Sequence, residues 1–580
     1  MMSRTVRRGN RPASLGLAVR GQSGARGWQA GGRLLGAVSL LALLLSASPA
    51  SAQVRLVEIL NADDVVVETD SLSGTIRRMT GNVRVRSDTT FLSANSAVEY
   101  VRRGEVILSG RVRIISGEDT LTASQVTYDK RGKLAVATGN VRIGAEGGVL
   151  FAPQAIYNSR DKRARFEGGG RLLQDGAELQ APSGTYETQR RFAEVDGPLT
   201  LRDSASTLTA SRGTYDAETR RADVVGEVRL VRERDRLDAD SLVYFRRTER
   251  ARAFGDVILD RLGGEAQEDS LRRALLFGHR LIYDGLAETA QMEADSLSEA
   301  LLVALERDST GRVDTTLVRA RTFYASREAR DSLRVETLLA TGGARMHRGN
   351  LSAVADSVSI VRLANADSLS RQPARDVADL LGGAFGLARP SVWVQGSQLA
   401  GDSLRIVSGA IRDSVFARGR AFAGSLDSTL GRVQQLAGPR MMGIVREEAI
   451  RRLHVWSGAE AIAYRATDEG RLYGAIRLGA DSLVFRFDSA GELRELTASS
   501  DVQSTFTPGS LVQAETLPSF VFTPDSRPSR GDLLTGWEAA WLAAHPGWRH
   551  PDPSASPPPP REPGRQPNAP SSNRQPAADL

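Results

Sequence analysis

No cysteine occurs among the 580 residues. Disulfides, thiol catalysis and thiolate metal sites are therefore excluded, and stability must come from the core and from strand pairing. Lysine is almost absent, at Lys130, Lys133 and Lys162 only, so the basic residues are nearly all arginine and a single arginine carries little functional weight. The five histidines, His279, His347, His454, His545 and His550, are scattered. No His-Glu-x-x-His motif exists, so zinc is not indicated. Gly401-Asp-Ser-Leu404 spells a lipase motif, but no histidine has an acid three residues before it. Asp-Ser also recurs at Asp240-Ser241, Asp295-Ser296, Asp356-Ser357 and Asp481-Ser482. It reads as a turn cap where a strand begins. No glycine-rich loop lies between a strand and a helix, so no phosphate cradle is expected. Neither catalytic residues nor a cofactor nor a metal is predicted.

A long apolar run is missing too. The longest, Leu34–Leu45, is about 12 residues where a spanning helix needs roughly 20. It follows seven arginines and no acid, and it precedes Ser46-Ala-Ser-Pro-Ala-Ser-Ala52. Residues 1–52 thus read as an export signal cleaved before Gln53, with a retained membrane anchor as the other reading. The formal charge of the whole chain is +7, and removal of those seven arginines brings the remainder to zero. The basic character is not a nucleic-acid footprint, which would need a basic face on the mature domain.

A repeat is what the chain does have. Glycines recur every 29 residues, at Gly81, Gly110, Gly139, Gly168, Gly197, Gly226 and Gly255. Two and four residues later stand apolar pairs such as Val83/Val85, Val112/Ile114 and Val141/Ile143. Leu-x-Ala follows at Leu92/Ala94, Leu121/Ala123, Leu150/Ala152, Leu179/Ala181, Leu208/Ala210 and Leu237/Ala239. A tyrosine closes each unit: Tyr100, Tyr128, Tyr157, Tyr186, Tyr215 and Tyr244.

The local pattern has period two, as in Gly81-Asn-Val-Arg-Val-Arg86, which puts valine on one face and arginine on the other. Turn-type segments such as Asp129-Lys-Arg-Gly132 divide the strands. One unit cannot bury its apolar face alone, so stacked units are expected to form an all-β, repetitive antiparallel sheet, folded with the apolar faces inward. The phased Leu, Ala and Tyr positions form ladders along that interior. They either fill it or leave an apolar groove.

The units Gly81-Asn-Val-Arg84 with Leu92 to Tyr100, Gly110-Arg-Val-Arg113 with Leu121 to Tyr128, and Gly139-Asn-Val-Arg142 with Leu150 to Tyr157 resemble the OstA/LptA family of lipopolysaccharide-transport proteins. The resemblance implies an open β-jellyroll whose interior holds acyl chains, a periplasmic location, and end-to-end joining through edge strands. The groove candidates it implies here are Val83, Val85, Leu92, Val112, Ile114, Leu121, Tyr128, Val141, Ile143, Leu150, Tyr157, Leu208 and Tyr215. The partners implied are lipopolysaccharide or a related glycolipid, other bridge proteins, and further copies of the chain end to end, with an association to the inner or outer membrane.

The expected organisation is a signal over 1–52, an OstA-like repeat domain over 53–262 and a degenerate continuation over 263–370. A linker over 371–390 and a second, smaller β-repeat region over 391–520 follow. Ten of the 23 prolines fall in 551–580, and 521–580 reads as a disordered proline-rich tail. Trp537, Trp541 and Trp548 before it read as a packing cluster rather than a membrane anchor. Two functions fit: a non-enzymatic lipid-binding bridge in lipopolysaccharide transport, or an envelope scaffold with a filled core.

Overall fold

The computed structural model describes residues 58–71, 74–145, 147–232, 235–263, 272–296, 298–307, 313–330, 333–365, 375–382, 389–394, 396–408, 413–446, 449–489 and 493–549. The expected signal and the tail beyond 549 lie outside the described residues. Every strand from Glu58–Asn61 to Gln503–Pro508 joins a single antiparallel sheet, in which successive long strands pair as hairpins.

The period of 29 is one such hairpin: two strands of about a dozen residues and their turns. Each recurrent glycine marks a corner. In Gly74–Ser87, pairing with Thr90–Tyr100 breaks between Thr80 and Val83, so Gly81 and Asn82 face the single residue Asn95. Gly81 and Asn82 both have positive φ, at 72° and 47°. Such a two-against-one bulge bends a strand and raises its twist. A Cβ on Gly255 would stand 2.1 Å from the Asp240 carboxylate, so the bend also requires close approach.

The corners divide every strand between two leaves. Residues 74–80, 96–100, 105–109 and 125–129 lie in the first leaf. Residues 83–87, 90–94, 112–116 and 119–123 lie in the second. The leaves face each other, and their inward residues form one continuous core. Between Arg163 and Asp216 the corners interrupt the strands outright, at Gly168-Gly169, Pro182, Pro198 and Ser211. Proline has no amide to give to a ladder, which suits it to these breaks.

Four expectations change here. Asp-Ser does not cap the start of hairpins. Asp240, Asp356, Asp402 and Asp481 each sit at a corner, between the part of a strand in one leaf and its part in the other. The lipase-like Gly401-Asp-Ser-Leu404 is one of these corners. The segment 371–390 contains a strand, Arg375–Leu381, paired in the first leaf between Leu351–Asn365 and Ser403–Ser408. Residues 391–508 are no separate smaller layer, because they continue the same sheet with the same corners.

The fourth concerns residues 521–549, expected to be disordered. They belong to a strap, 509–549, that leaves the last strand and runs back over the outer surface of the second leaf. The sheet partners descend as the strap advances. Gln435 bonds the Leu517 amide at 2.9 Å, Gln398 the Thr523 amide at 2.7 Å, and Ser352 the Pro528 carbonyl at 2.8 Å. Arg319 then donates to the Leu533 and Thr535 carbonyls, each at 2.6 Å, and Arg273 to that of Gly547 at 3.2 Å. The strap holds because this part of the second leaf is apolar on both surfaces. Leu276 and Leu302 point inward, while Leu275, Phe277, Leu301 and Val303 point outward against Leu533, Leu542 and Trp548. Trp537 and Trp541 meet the Phe277 ring edge-on at 5.7 and 5.5 Å. The tryptophans form the packing cluster the sequence suggested.

Candidate functional site

All thirteen groove candidates lie in the interior between the leaves. Val83, Val85, Leu92, Val112, Ile114, Leu121, Val141, Ile143, Leu150 and Leu208 project from the second leaf; Tyr128, Tyr157 and Tyr215 project from the first. Each is at most 2% exposed. In this stretch the inward side chains of the two leaves fill the space, at the close packing of a protein core. A void of about 10 Å³ lies among Leu199, Leu201, Tyr215 and Val224.

The free edges of the leaves meet opposite the corners, and there the first half is sealed. The turns ending the first leaf contain Lys133, Lys162, Arg191 and Glu249 in equivalent positions, all at positive φ. Their carbonyls accept amide bonds from the next turn, as in Ser159 to Lys133 and Thr188 to Lys162, so the turns stack in register. Their side chains reach across to the turns ending the second leaf. Lys133 pairs with Asp88 at 3.3 Å, Lys162 with Asp119 at 3.0 Å, and Arg191 with Asp175 at 2.6 Å. Arg246 pairs with Asp203 at 2.8 Å, and Arg232 with Glu249. The third lysine, Lys130, pairs with the buried Glu99 at 2.6 Å.

The recurrent tyrosines stand behind this seam. The Tyr157 hydroxyl donates to Asp119, and the Tyr186 hydroxyl to Gln174. Arg246 donates to the Tyr215 hydroxyl at 2.7 Å. Burial raises the pKa of Tyr157, reinforced by Asp119, and pushes Tyr186 up to about 12. Burial opposes the Asp203 charge, but the Arg246 guanidinium and the amides of Ala205 and Ser206 outweigh it and hold the carboxyl below its ordinary range. The Asp203–Arg246 pair is charged at neutral pH.

Past residue 250 the interior opens into a cavity of about 1130 Å³. Leu259, Leu276, Leu302 and Met346 of the second leaf line it, opposite Leu338, Ile360 and Ile406 of the first. None of the thirteen candidates does. The ion pairs at its margin mostly run along one leaf: Arg261 with Asp235, Arg348 with Asp314, and Arg327 with Glu336. Arg362 with Glu306, at 3.1 Å, still crosses. The repeat pattern was legible in this region only as drift, and the cavity sits where the pattern drifts.

Among the described residues no group of three or more His, Asp or Glu side chains is placed to hold a metal. The arrangement can bind apolar chains between leaves and can pair with charged groups at the margin.

A two-leaved antiparallel sheet, sealed over one stretch and hollow over the next, is the architecture to which the comparisons apply. Residues 55–211 match the family described as OstA-like protein. A solved structure of LptH, the LptA-homologous periplasmic component of the conserved lipopolysaccharide transport device of Pseudomonas aeruginosa, is similar at 20% identity. That likeness covers 18% of this chain and 80% of LptH, with a TM-score of 0.18. No curated protein matches the chain. The cavity lies wholly beyond the stretch that matches the family.

Proposed function

We propose that the protein is a non-enzymatic periplasmic carrier in lipopolysaccharide transport, which holds acyl chains between its two leaves. The observation that carries this reading is a cavity of about 1130 Å³, in which Leu259, Leu276, Leu302 and Ile360 stand beside charged residues such as Arg261, Arg348 and Arg362, in a sheet whose residues 55–211 match the OstA-like family. Burial contributes about 0.8 kcal/mol per methylene, ample to retain a lipid of several chains without an energy source in this protein. The held chains lie among Leu259, Leu276, Leu302, Met346, Leu338 and Ile360. The thirteen positions between Val83 and Tyr215 would contribute after the leaves part.

The same reading assigns the ends of the sheet to partners. The edge strand Asp64–Asp70 carries Val65, Val66 and Val67, all exposed. At the other end Leu493–Ser499 and Gln503–Pro508 are edge strands, with Leu496 and Phe506 exposed. Such edges pair with another chain by strand addition, whether a bridge protein or a second copy. The filled interior between residues 83 and 230 favours a second reading, an envelope scaffold.

Lipid extraction of the purified protein followed by mass spectrometry separates the two readings. A photoreactive residue at Ile360 is expected to label lipopolysaccharide. Absence of both co-purified glycolipid and labelling at Ile360 would leave the scaffold reading standing.

A further inference from the structure

We infer that the seam is a row of exchange sites for phosphate-bearing lipid head groups, and that the sealed half conducts lipid by opening one ion pair at a time. The inference rests on the lipid-carrier reading above. It concerns residues to which that reading gives no role.

Three observations support it. First, the cations are repeated in equivalent places. Lys133, Lys162 and Arg191 occupy the same turn position in successive units, and each unit adds two strands. Strands lie about 4.8 Å apart, so consecutive cations stand roughly 10 Å apart along the seam. Second, two of the three lysines of an arginine-rich chain, Lys133 and Lys162, form ion pairs across this margin. Lysine is a compact, mobile point charge suited to changing partners, whereas arginine fixes a planar geometry. Third, the Asp88–Lys133 and Asp175–Arg191 pairs are partly open to solvent, while Asp119 and the Asp203–Arg246 pair lie deeper. Asp88 is 46% exposed in its pair, and Asp175 and Arg191 are each about a quarter to a third exposed.

The chemistry follows from those facts. A phosphate offers a lysine or arginine more charge and more acceptor oxygens than a carboxylate does. When it replaces Asp88, Asp119 or Asp175 as partner, the released carboxylate is hydrated at the margin and the two leaves lose their link at that level. The apolar chains then lie between Leu, Val and Tyr positions that are otherwise packed against each other. The next cation along is equivalent, so a step from one to the next needs little net free energy. At the cavity most pairs already run along each leaf, and chains are admitted there without exchange.

The absence of cysteine makes a clean test possible. Asp203→Cys with Arg246→Cys, joined by a cleavable bis-maleimide, locks one link of the seam in the full chain. Photoreactive residues at Leu208, beside that link, and at Ile360, in the cavity, report where chains reside. Two probes are used separately: lipopolysaccharide micelles and phosphatidylglycerol vesicles. Labelling at Leu208 is expected when the seam is free, lost when it is locked, and restored when the linker is cut. Labelling at Ile360 is expected throughout, which also shows that the locked protein is folded. Whichever probe labels Leu208 identifies the source of the head group. Labelling of Ile360 alone, whatever the state of the linker, would make the seam a permanent seal and overturn the inference. Labelling of Leu208 with the link locked overturns it equally. Absence of labelling at both positions defeats the carrier reading, and this inference with it.

Discussion

The stretch 74–232 and the stretch 257–480 use the same hairpins and corners, yet they solve the packing problem in opposite ways. The earlier stretch is apolar on one surface only. Val83 and Val85 face in, Arg84 and Arg86 face solvent, and the interior is full. The later stretch is apolar on both surfaces of its second leaf, covers the outer one with its own strap, and leaves the inner space open. A leaf packed on its outer side is held without needing contact with the leaf opposite. External bracing therefore allows an interior void that a one-sided sheet would close by collapse.

Deleting the strap should give the largest effect. A chain ending at Pro508 exposes the outer surface that Leu517, Leu533, Leu542 and Trp548 cover, and burial of such side chains is worth roughly 1.5–3 kcal/mol each. Limited proteolysis is expected to cut within 257–480 and to spare 74–232. Equal resistance of both stretches would sink the bracing argument.

Core truncation should separate the two interiors next. Leu121→Ala removes a packed side chain and should cost about 2–5 kcal/mol. Ile360→Ala enlarges a space that already exists, so a cost of roughly 1 kcal/mol or less is expected. Denaturant unfolding of the two variants measures the difference.

Asp203→Asn should follow, at about 1.5–3 kcal/mol, because it removes a charged hydrogen-bond partner of the largely buried Arg246 side chain. Hydrogen exchange around residues 203–246 should rise while exchange around 333–363 does not.

pH tests the same seam. The folded-state pKa values of Tyr157, Tyr186, Tyr215 and Tyr244 are all raised by burial. Their contribution is complete below the ordinary tyrosine pKa of 10 and is lost as pH rises, for Tyr186 between 10 and about 12. Asp203 has the opposite sign: its contribution is present above its ordinary pKa of 3.8 and is lost as pH falls below it. Alkaline titration followed by tyrosine absorbance should therefore loosen the sealed stretch, with Tyr157, Tyr186 and Tyr215, more than the braced one, where burial raises the pKa of Tyr283 as well. The smallest effect is expected for Arg84→Ala on the solvent surface, within about 0.5 kcal/mol by thermal unfolding.

Much of this contrast can be read from residues once the leaves are known. The period, the inward positions and the tyrosine ladder were legible because burial enforces alternation at short range. The corners were less so. Gly81-Asn82 and Asp240-Ser241 look like ordinary turn chemistry, and only the pairing register shows that they bend strands instead of ending them. The seam was not legible, because Asp88 and Lys133 or Asp119 and Lys162 are more than forty residues apart and belong to different leaves. The strap left one readable trace. Leu275-Leu276-Phe277 and Leu301-Leu302-Val303 break the alternation, which means that both surfaces are covered. What covers them carries no periodicity of its own.

The strap also sets an order of events. Arg319 finds its partners Leu533, Thr535 and Glu538 more than two hundred residues later in the chain. As the polypeptide is made from its N-terminus, the strands around Phe277 and Leu301 emerge long before the segment that shields them. For that interval they present a bare apolar surface, the condition in which β-rich intermediates aggregate. Completion of residues 509–549 is thus the step that ends the vulnerable period, and a holding chaperone has a defined surface to protect until then.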